Sequence, residues 1–255
     1  AQNILGCIYS EGKHVPIDGE KALHYFELAV KANDSNAQCN LGNLYFEGKI
    51  VKQDKTKALY YYKLASDQHN TNAMIILGQI YYFDKDVKRS INYFKKASDL
   101  NDQKAHHALG YIYYTGELIP VNIDKAIHYL CLSANQKYSP SLYLLGKIYE
   151  LGKYIPRDIK KAIHYYSLAS ELKHPIAQLE LGNIYISGKY ISTDIEKAIK
   201  YFTLAADQNC IEAQYNLGVL YSQKLNDHFN IELAIYYFEL CSKRNFIQAN
   251  LNLAY

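Results

Sequence analysis

A Leu-Gly pair recurs along this chain at nearly constant spacing. Its glycines are 36 residues apart, with one interval of 32, and lie at Gly6, Gly42, Gly78, Gly110, Gly146, Gly182 and Gly218. A repeat of this length is typical of solenoids, in which each unit is too small to bury its own apolar face and packs on its neighbours. The spacing therefore predicts one continuous array over residues 1–255.

Each repeat carries the apolar spacing of two short helices. In the second repeat, Ala37, Leu41 and Leu44 fall on one face of a helix that we name helix A. A second helix, helix B, follows after a short loop. Its expected buried positions in this repeat are Ala58, Tyr61, Tyr62 and Ala65. The fold class predicted is all-α, built from pairs of helices.

Residues that favour helix ends separate the two helices. A glycine six positions after the repeat glycine suits a left-handed C-cap of helix A, and it recurs at Gly12, Gly48, Gly116, Gly152 and Gly188. An Asp or Asn suits the N-cap of helix B at Asp18, Asp54, Asp86, Asn122, Asp158, Asp194 and Asn230. We expect seven helix pairs and part of an eighth, in which Leu253-Ala254 replaces Leu-Gly, so the chain is expected to be a stretch of a longer array.

The repeat glycines lie inside helix A, where glycine costs about 1 kcal/mol relative to alanine. A close approach by a neighbouring helix, with an aromatic ring laid against the bare backbone, would compensate for this cost. The chain has 27 tyrosines, most of them at fixed places in the repeat. Because a buried aromatic side chain removes about 150–250 Å² from water, we interpret these tyrosines as packing residues.

The complete pattern resembles the Sel1-like repeat family, which is related to the tetratricopeptide repeats. It reads A-x-x-x-L-G-x-x-Y-x-x-G, then D-x-x-K-A-x-x-Y-Y/F-x-x-A, as in 37–48 with 54–65 and in 177–188 with 194–205. The resemblance covers the whole chain and implies a right-handed superhelix of antiparallel helix pairs. It also implies an adaptor that assembles protein complexes. Family members serve in endoplasmic-reticulum quality control, cell-wall synthase activation or bacterial host interaction, or are attached to kinase domains.

Two repeats depart from the pattern. The third is four residues short because residues 82–86 replace the loop that carries the cap glycine. We therefore expect a change of superhelical pitch near residues 82–90. In the seventh, Lys224 stands where the cap glycine belongs, and the loop through residues 225–228 is expected to be irregular.

Composition excludes several classes of partner. The net charge is +3 and the basic residues are dispersed, which argues against nucleic acid because its binding needs dense phosphate neutralisation. No apolar run approaches the roughly 20 residues that span a bilayer, so no direct membrane insertion is expected. The five cysteines form no C-x-x-C and favour a reducing compartment. The cytoplasm is the expected location, with the lumen of the endoplasmic reticulum as the alternative.

No catalytic, cofactor or metal site is predicted. The glycines at Gly182 and Gly188 are separated by five residues, whereas a phosphate-binding loop has four between them. The Ser-x-x-Lys matches at Ser10 and Ser170 lack the companion motifs of penicillin-binding enzymes. The recurring His24, His128 and His164 lie in different repeats, and neighbouring repeats are about 10 Å apart, too far for histidines of two neighbours to share one ion.

The candidate partner-binding site is a stripe on helix A that is expected to face the inside of the superhelix. It comprises the positions two before, one after and five after each repeat glycine, and we name it the A-helix stripe. Its candidate residues are Asn40, Asn43, Glu47, Ile76, Gln79, Phe83, Tyr111, Thr115, Leu144, Lys147, Leu151, Glu180, Asn183, Asn216 and Gln223. The same positions are occupied elsewhere by Ala108, Ser187 and Val219.

This stripe varies between repeats while the packing positions do not. Its amides could pair with the backbone of an extended peptide, and Phe83, Tyr111, Leu144 and Leu151 could anchor side chains. The stripe could equally be an ordinary solvated surface. The sequence therefore favours a non-catalytic scaffold that binds a peptide or helix of a protein partner. The alternative is a regulatory or targeting arm of a larger enzyme, such as a protein kinase, whose catalytic domain lies outside these residues.

Overall fold

The computed structural model describes residues 1–13, 15–223 and 227–249. Over these ranges the chain forms fourteen α-helices and no strand, and it divides into two compact units, Ala1–Tyr129 and Leu130–Tyr255. The helices of the first unit are α1 (Gln2–Glu11), α2 (Gly19–Lys31), α3 (Ser35–Glu47), α4 (Lys55–Asp67), α5 (Thr71–Phe83), α6 (Val87–Asp99) and α7 (Gln103–Thr115). The division falls within α8 (Ile123–Asn135). The second unit continues with α9 (Ser139–Leu151), α10 (Ile159–Glu171), α11 (Pro175–Ser187), α12 (Ile195–Ala206), α13 (Ile211–Ser222) and α14 (Ile231–Ser242).

Odd-numbered helices are the A helices and even-numbered helices are the B helices. They pair antiparallel, since Gly42 of α3 packs on Tyr62 of α4 and Tyr45, one turn later in α3, stacks on Tyr61, one residue earlier in α4. Successive pairs also pack on one another within each unit, as α2 does on α3 and α10 on α11. The prediction of an all-α solenoid of helix pairs is confirmed.

The predicted helix ends are confirmed in every described case. All seven Asp and Asn caps of helix B accept a backbone N–H from the residue three positions later, at 3.0 Å. The five cap glycines have φ between 62° and 69°, in the left-handed region. Lys224, Leu253 and Ala254 lie outside the described residues, and so do the predictions made for them.

The contact that explains the repeat glycine is present in six repeats. A Cβ added to Gly42 would lie 2.6 Å from Cε1 of Tyr62, and one added to Gly218 would lie 2.6 Å from Cε1 of Phe238. The same ring position packs on the repeat glycine as Phe26, Phe94, Tyr166 and Phe202. Any side chain on these glycines would therefore displace a buried ring, which is the compensation that the sequence required.

The recurring tyrosines pack mainly on one another. Each described repeat has one stacked pair between its A and B helices, with ring centroids 5.6–6.1 Å apart and planes within 9° of parallel. In six of these pairs a Lys or Arg of the B helix lies over the ring of the A helix, 4.4–5.3 Å from its centroid. These tyrosines are therefore packing residues, as predicted.

In the shortened third repeat, α5 ends at Phe83 and α6 begins at Val87, so only residues 84–86 connect the two helices. Lys85 takes the left-handed conformation, with φ of 60°, that the cap glycines supply in other repeats. The predicted change of pitch at this place stays a prediction, as does a single array over residues 1–255.

Candidate functional site

The A-helix stripe is only partly open to solvent. Phe83 is 80% exposed, Leu151 47% and Tyr111 40%, as expected for side chains available to a partner. Leu144 is 7% exposed, so its predicted role as an exposed anchor is wrong. Asn40, two before its repeat glycine, is directed at the preceding A helix, since it donates a hydrogen bond to Asn3 of α1.

Between successive A helices lies a recess that we name a slot. Its floor is the aromatic ring that packs on the repeat glycine, and its walls are stripe residues of the two A helices. Three slots are floored by Phe: α1/α3 over Phe26, about 530 Å³, α5/α7 over Phe94, about 300 Å³, and α11/α13 over Phe202, about 170 Å³. The same packing contact therefore accompanies recesses in both units.

The α1/α3 slot is polar. Cys7, Asn40, Asn43 and Glu47 are among its lining residues, and Nδ2 of Asn40 lies 3.4 Å from Sγ of Cys7. Burial raises the pKa of the Cys7 thiol, which stays protonated at neutral pH. This slot offers amide and carboxylate groups to a polar partner and no reactive thiolate.

The α5/α7 slot is apolar and aromatic. It is lined by Gln79, Tyr82, Phe83, Phe94, His107, Ala108, Tyr111 and Ile112. Burial lowers the pKa of His107 to about 4, which makes this side chain neutral near pH 7. The hydroxyl of Tyr82 donates to Oε2 of Glu117 at 2.9 Å. This slot therefore has a neutral lining, and the carboxylate of Glu117 lies beside it.

In two repeats the ring that packs on the repeat glycine is a tyrosine, and its hydroxyl donates a hydrogen bond to a polar side chain. Tyr62 donates to Oδ1 of Asn43 at 2.9 Å, and Tyr166 donates to Oε2 of Glu150 at 2.7 Å. Burial and the Glu150 carboxylate raise the pKa of Tyr166, so the hydroxyl remains a donor. A tyrosine at this position therefore holds a polar side chain by a hydrogen bond, which a phenylalanine cannot do.

Stripe residues of the second unit form a hydrogen-bonded chain across A helices. Asn216 of α13 donates to Oδ1 of Asn183 at 3.2 Å, and Asn183 donates to Oε2 of Glu180 at 3.1 Å. Burial raises the pKa of Glu180, and the nearby Glu150 carboxylate adds to this effect while Lys147 opposes it. This chain fixes the direction of three side chains that the sequence had placed in the site.

The remaining candidates divide between recesses and exposed surface. Gln79, Asn183, Asn216 and Gln223 line slots, whereas Lys147 is exposed on its helix, and Ile76 and Thr115 are half-buried. His107 and Tyr82 were not among the predicted site residues, and the rings on the repeat glycines were expected only as packing residues. A signal for these rings was present, because the residue after the tyrosine of helix B is Phe or Tyr in six repeats and Leu130 in the fourth.

The described residues hold no group of three His, Cys, Asp or Glu side chains placed to bind a metal ion. Burial raises the pKa of all five cysteine thiols, and that of Cys39 reaches about 11. No helix among the described ranges combines the length and apolarity needed to cross a membrane. What the arrangement offers chemically is a set of recesses for side chains of a partner.

Comparison with known proteins connects this geometry to a family. A family model described as Sel1 repeat matches seven consecutive segments: 1–34, 35–70, 71–102, 103–138, 139–174, 175–210 and 211–245. No match was found among curated proteins. The comparisons lend no support to the kinase alternative.

Several solved structures share the fold. A Sel1 repeat protein from Oxalobacter formigenes is 26% identical with a TM-score of 0.83, and the match covers 99% of this chain and 74% of that one. A protective antigen of uropathogenic Escherichia coli with an SLR fold is 28% identical with a TM-score of 0.75, and the chain spans 55% of its length and is itself 99% covered. An immunity protein of Pseudomonas aeruginosa, at 19% identity and a TM-score of 0.55 over 88% of this chain and 89% of that one, shows the fold alone.

Proposed function

We propose a function for this chain from its membership of the Sel1 repeat family, to which it belongs. It is a non-catalytic scaffold that binds a peptide or a helix of another protein along the A-helix stripe. Sel1 repeat proteins are generally protein-interaction scaffolds and generally non-catalytic. The family supports the class of function. The residues proposed to make the contacts are those of the A-helix stripe.

The observation that carries this proposal is the contrast between a constant floor contact and variable slot walls. The ring on the repeat glycine recurs in six repeats, whereas the slots it floors are polar over Phe26 and aromatic over Phe94. A surface with recesses of different chemistry at regular intervals can select the order of side chains in an extended segment. A uniform packing face would have no such selectivity.

The proposed roles follow from exposure and hydrogen bonding. Phe83, Tyr111 and Leu151 are the apolar anchors, because large exposed apolar side chains dominate the binding energy of interfaces. Gln79, Asn183 and Asn216 line the recesses and present amides to a partner backbone. The other proposed contacts are Asn40, Asn43, Glu47, Ile76, Thr115, Lys147, Glu180 and Gln223.

An affinity capture from lysate of the source cells tests this function. The wild-type chain is compared with a variant carrying Phe83→Ala, Tyr111→Ala and Leu151→Ala, and captured proteins are identified by mass spectrometry. A matched control carries Tyr60→Ala and Tyr236→Ala, which remove exposed aromatic rings of B helices. Circular dichroism establishes that all three chains are folded.

We expect the stripe variant to lose specific partners that the control retains. Equal loss in both variants, or retention by both, would move binding to the B helices or loops and contradict the role of the stripe. Capture of no partner by the wild-type chain would contradict the scaffold function.

A further inference from the structure

The α5/α7 slot differs from the other Phe-floored slots in its lining. Phe83 and Tyr111 stand at its rim, 80% and 40% exposed, and Tyr82 and Phe94 contribute two further rings. The rings of Tyr82 and Phe83 meet edge to face, with centroids 6.1 Å apart. Four aromatic side chains from one pair of repeats thus surround a single opening.

Among the residues that the structure describes, no charged side chain lines this opening. The only titratable ring besides the tyrosines is His107, and its low pKa makes it neutral near pH 7. A charged side chain entering such a lining would lose its hydration without a partner, at a cost of several kcal/mol. An apolar side chain gains by the same transfer, and an aromatic one gains about 0.5–1.5 kcal/mol more from ring contacts.

The volume also limits the occupant. About 300 Å³ is the lower end of the range for pockets that take a whole small ligand. A recess of this size, open to solvent and bounded by ring faces, fits one large side chain inserted from above. Gln79 at the rim can hydrogen-bond to the backbone on either side of that residue.

The charge beside the opening is negative. Glu117 is exposed and accepts the hydrogen bond from Tyr82, and no ion pair involving Glu117 occurs among residues 1–13, 15–223 and 227–249. Burial and this carboxylate raise the pKa of Tyr82 to about 12, so the phenol stays protonated and remains the donor of this hydrogen bond. A cationic residue next to the inserted side chain would meet a complementary charge.

We infer that the α5/α7 slot binds one aromatic side chain of a partner segment, and that Glu117 selects a Lys or Arg adjacent to it in that segment. The inference rests on the proposed scaffold function and specifies the chemistry of one of its subsites. Phe83 and Tyr111 enclose the inserted ring, Phe94 supports it from below, and Glu117 reads the neighbouring charge.

The chain contains no tryptophan, which permits a direct assay. The probe is the peptide acetyl-Gly-Gly-Trp-Lys-Gly-Gly-amide, whose fluorescence is excited at a wavelength that tyrosine does not absorb. Binding should shift the tryptophan emission to shorter wavelength and raise its anisotropy. Phe83→Ala and Tyr111→Ala should each raise the dissociation constant at least tenfold. Ala108→Leu, which fills the slot, should raise it by a similar factor.

The matched control is Tyr60→Ala, which removes a 61% exposed ring of α4 and should leave the dissociation constant unchanged. A peptide with Glu in place of Lys should bind at least threefold more weakly to the wild-type chain. Glu117→Gln should abolish that difference while the emission shift of the Lys peptide persists at higher concentration. Circular dichroism of every variant separates loss of the slot from loss of the fold.

Absence of any emission shift with the wild-type chain would overturn the inference, as would equal binding by Phe83→Ala and the wild type. Equal binding of the Lys and Glu peptides would overturn the role of Glu117. The capture experiment distinguishes these failures from failure of the function. Some captured partners could require Phe83 of this chain without using an aromatic residue of their own. That result would support the scaffold function and assign a different chemistry to this slot.

Discussion

Phe94 and Tyr166 occupy the same position in different repeats, and their rings differ by one oxygen. Both rings pack on a repeat glycine, Gly78 and Gly146. Over Phe94 the lining is aromatic and uncharged, whereas the Tyr166 hydroxyl binds a carboxylate. The ring face packs on the glycine in both, so the para position of the ring is free to differ in the group that it contacts.

The first prediction tests the contact that both repeats share, by filling the space that the repeat glycine leaves for the aromatic ring. Gly182→Leu places a side chain where the Phe202 ring already contacts the position of a Cβ. Overpacking of this kind costs about 3 kcal/mol, at the upper end of its usual range, and the urea midpoint should fall accordingly.

A double-mutant cycle supplies the control for this change. Gly182→Ala combined with Phe202→Ala should cost less than the sum of the two single changes, because the second removes the ring that the first displaces. Strict additivity, or an unchanged urea midpoint for Gly182→Leu, would refute the close-packing account of the repeat glycine.

The second prediction uses the neutral histidine of the aromatic slot. The pKa of His107 is lowered to about 4, while the unfolded chain has the ordinary value of about 6.5. As pH falls below 6.5 the unfolded chain binds the proton first, so stability is present above this pH and is lost towards pH 4.

At pH 5 this linkage amounts to about 2 kcal/mol. His107→Leu should therefore flatten the fall in melting temperature between pH 6.5 and 4. The exposed His24→Leu is the control for loss of a histidine and should keep the wild-type slope. Identical slopes for all three chains would show that His107 is not held neutral by the slot.

The third prediction exchanges the floors. Tyr166→Phe removes the hydrogen bond to Glu150 and should lower the free energy of unfolding by about 1.5 kcal/mol, since the acceptor is charged. Phe94→Tyr should bring no gain, because the position four after Gly78 is Tyr82 instead of a carboxylate.

Phe94→Tyr should also weaken binding of the Trp-Lys peptide by placing a hydroxyl under its ring. Urea unfolding and the fluorescence assay measure the two effects separately. Stabilisation by Phe94→Tyr would mean that the para position does not control the slot.

The smallest expected effect on stability concerns another position at which two repeats carry different residues. Gln208 donates to Oε1 of the buried Gln178 at 2.7 Å, but at the next repeat Arg244 takes the place of Gln208. Arg244 donates to Asn209 instead, and Oε1 of Gln214 is buried without a hydrogen-bond partner. Arg244→Gln should therefore raise stability by about 0.5–1 kcal/mol.

Thermal unfolding checks this prediction, with Arg244→Ala as the control that removes the guanidinium without supplying an amide. A higher melting temperature for Arg244→Gln alone would show that the hydrogen bond of the preceding repeat can be restored in this one. Equal melting temperatures for both variants would contradict the hypothesis that Gln214 lacks a stabilising glutamine partner.

Much of the fold followed from local rules. Asp54 could be predicted as a cap because its carboxylate needs only the N–H three residues later, and Gly42 as a close-packing site because glycine inside a helix requires compensation. The error at Leu144 has a clear origin. Periodicity separates the buried face of a helix from the rest, but it does not show whether a position beside that face is covered in the folded chain, as Leu144 is at 7% exposure.

The sequence by itself determined the repeat, the two helices of each unit, their caps and the residues available on the A-helix stripe, because these depend on spacing and on contacts within a few residues. The tertiary structure alone decided which stripe residues border a recess and what that recess is like. The neutrality of His107, the link from Tyr82 to Glu117 and the chain from Asn216 to Glu180 all depend on side chains brought together from different helices. Burial and hydrogen bonding of this kind are set by three-dimensional packing, which a repeat period specifies only on average.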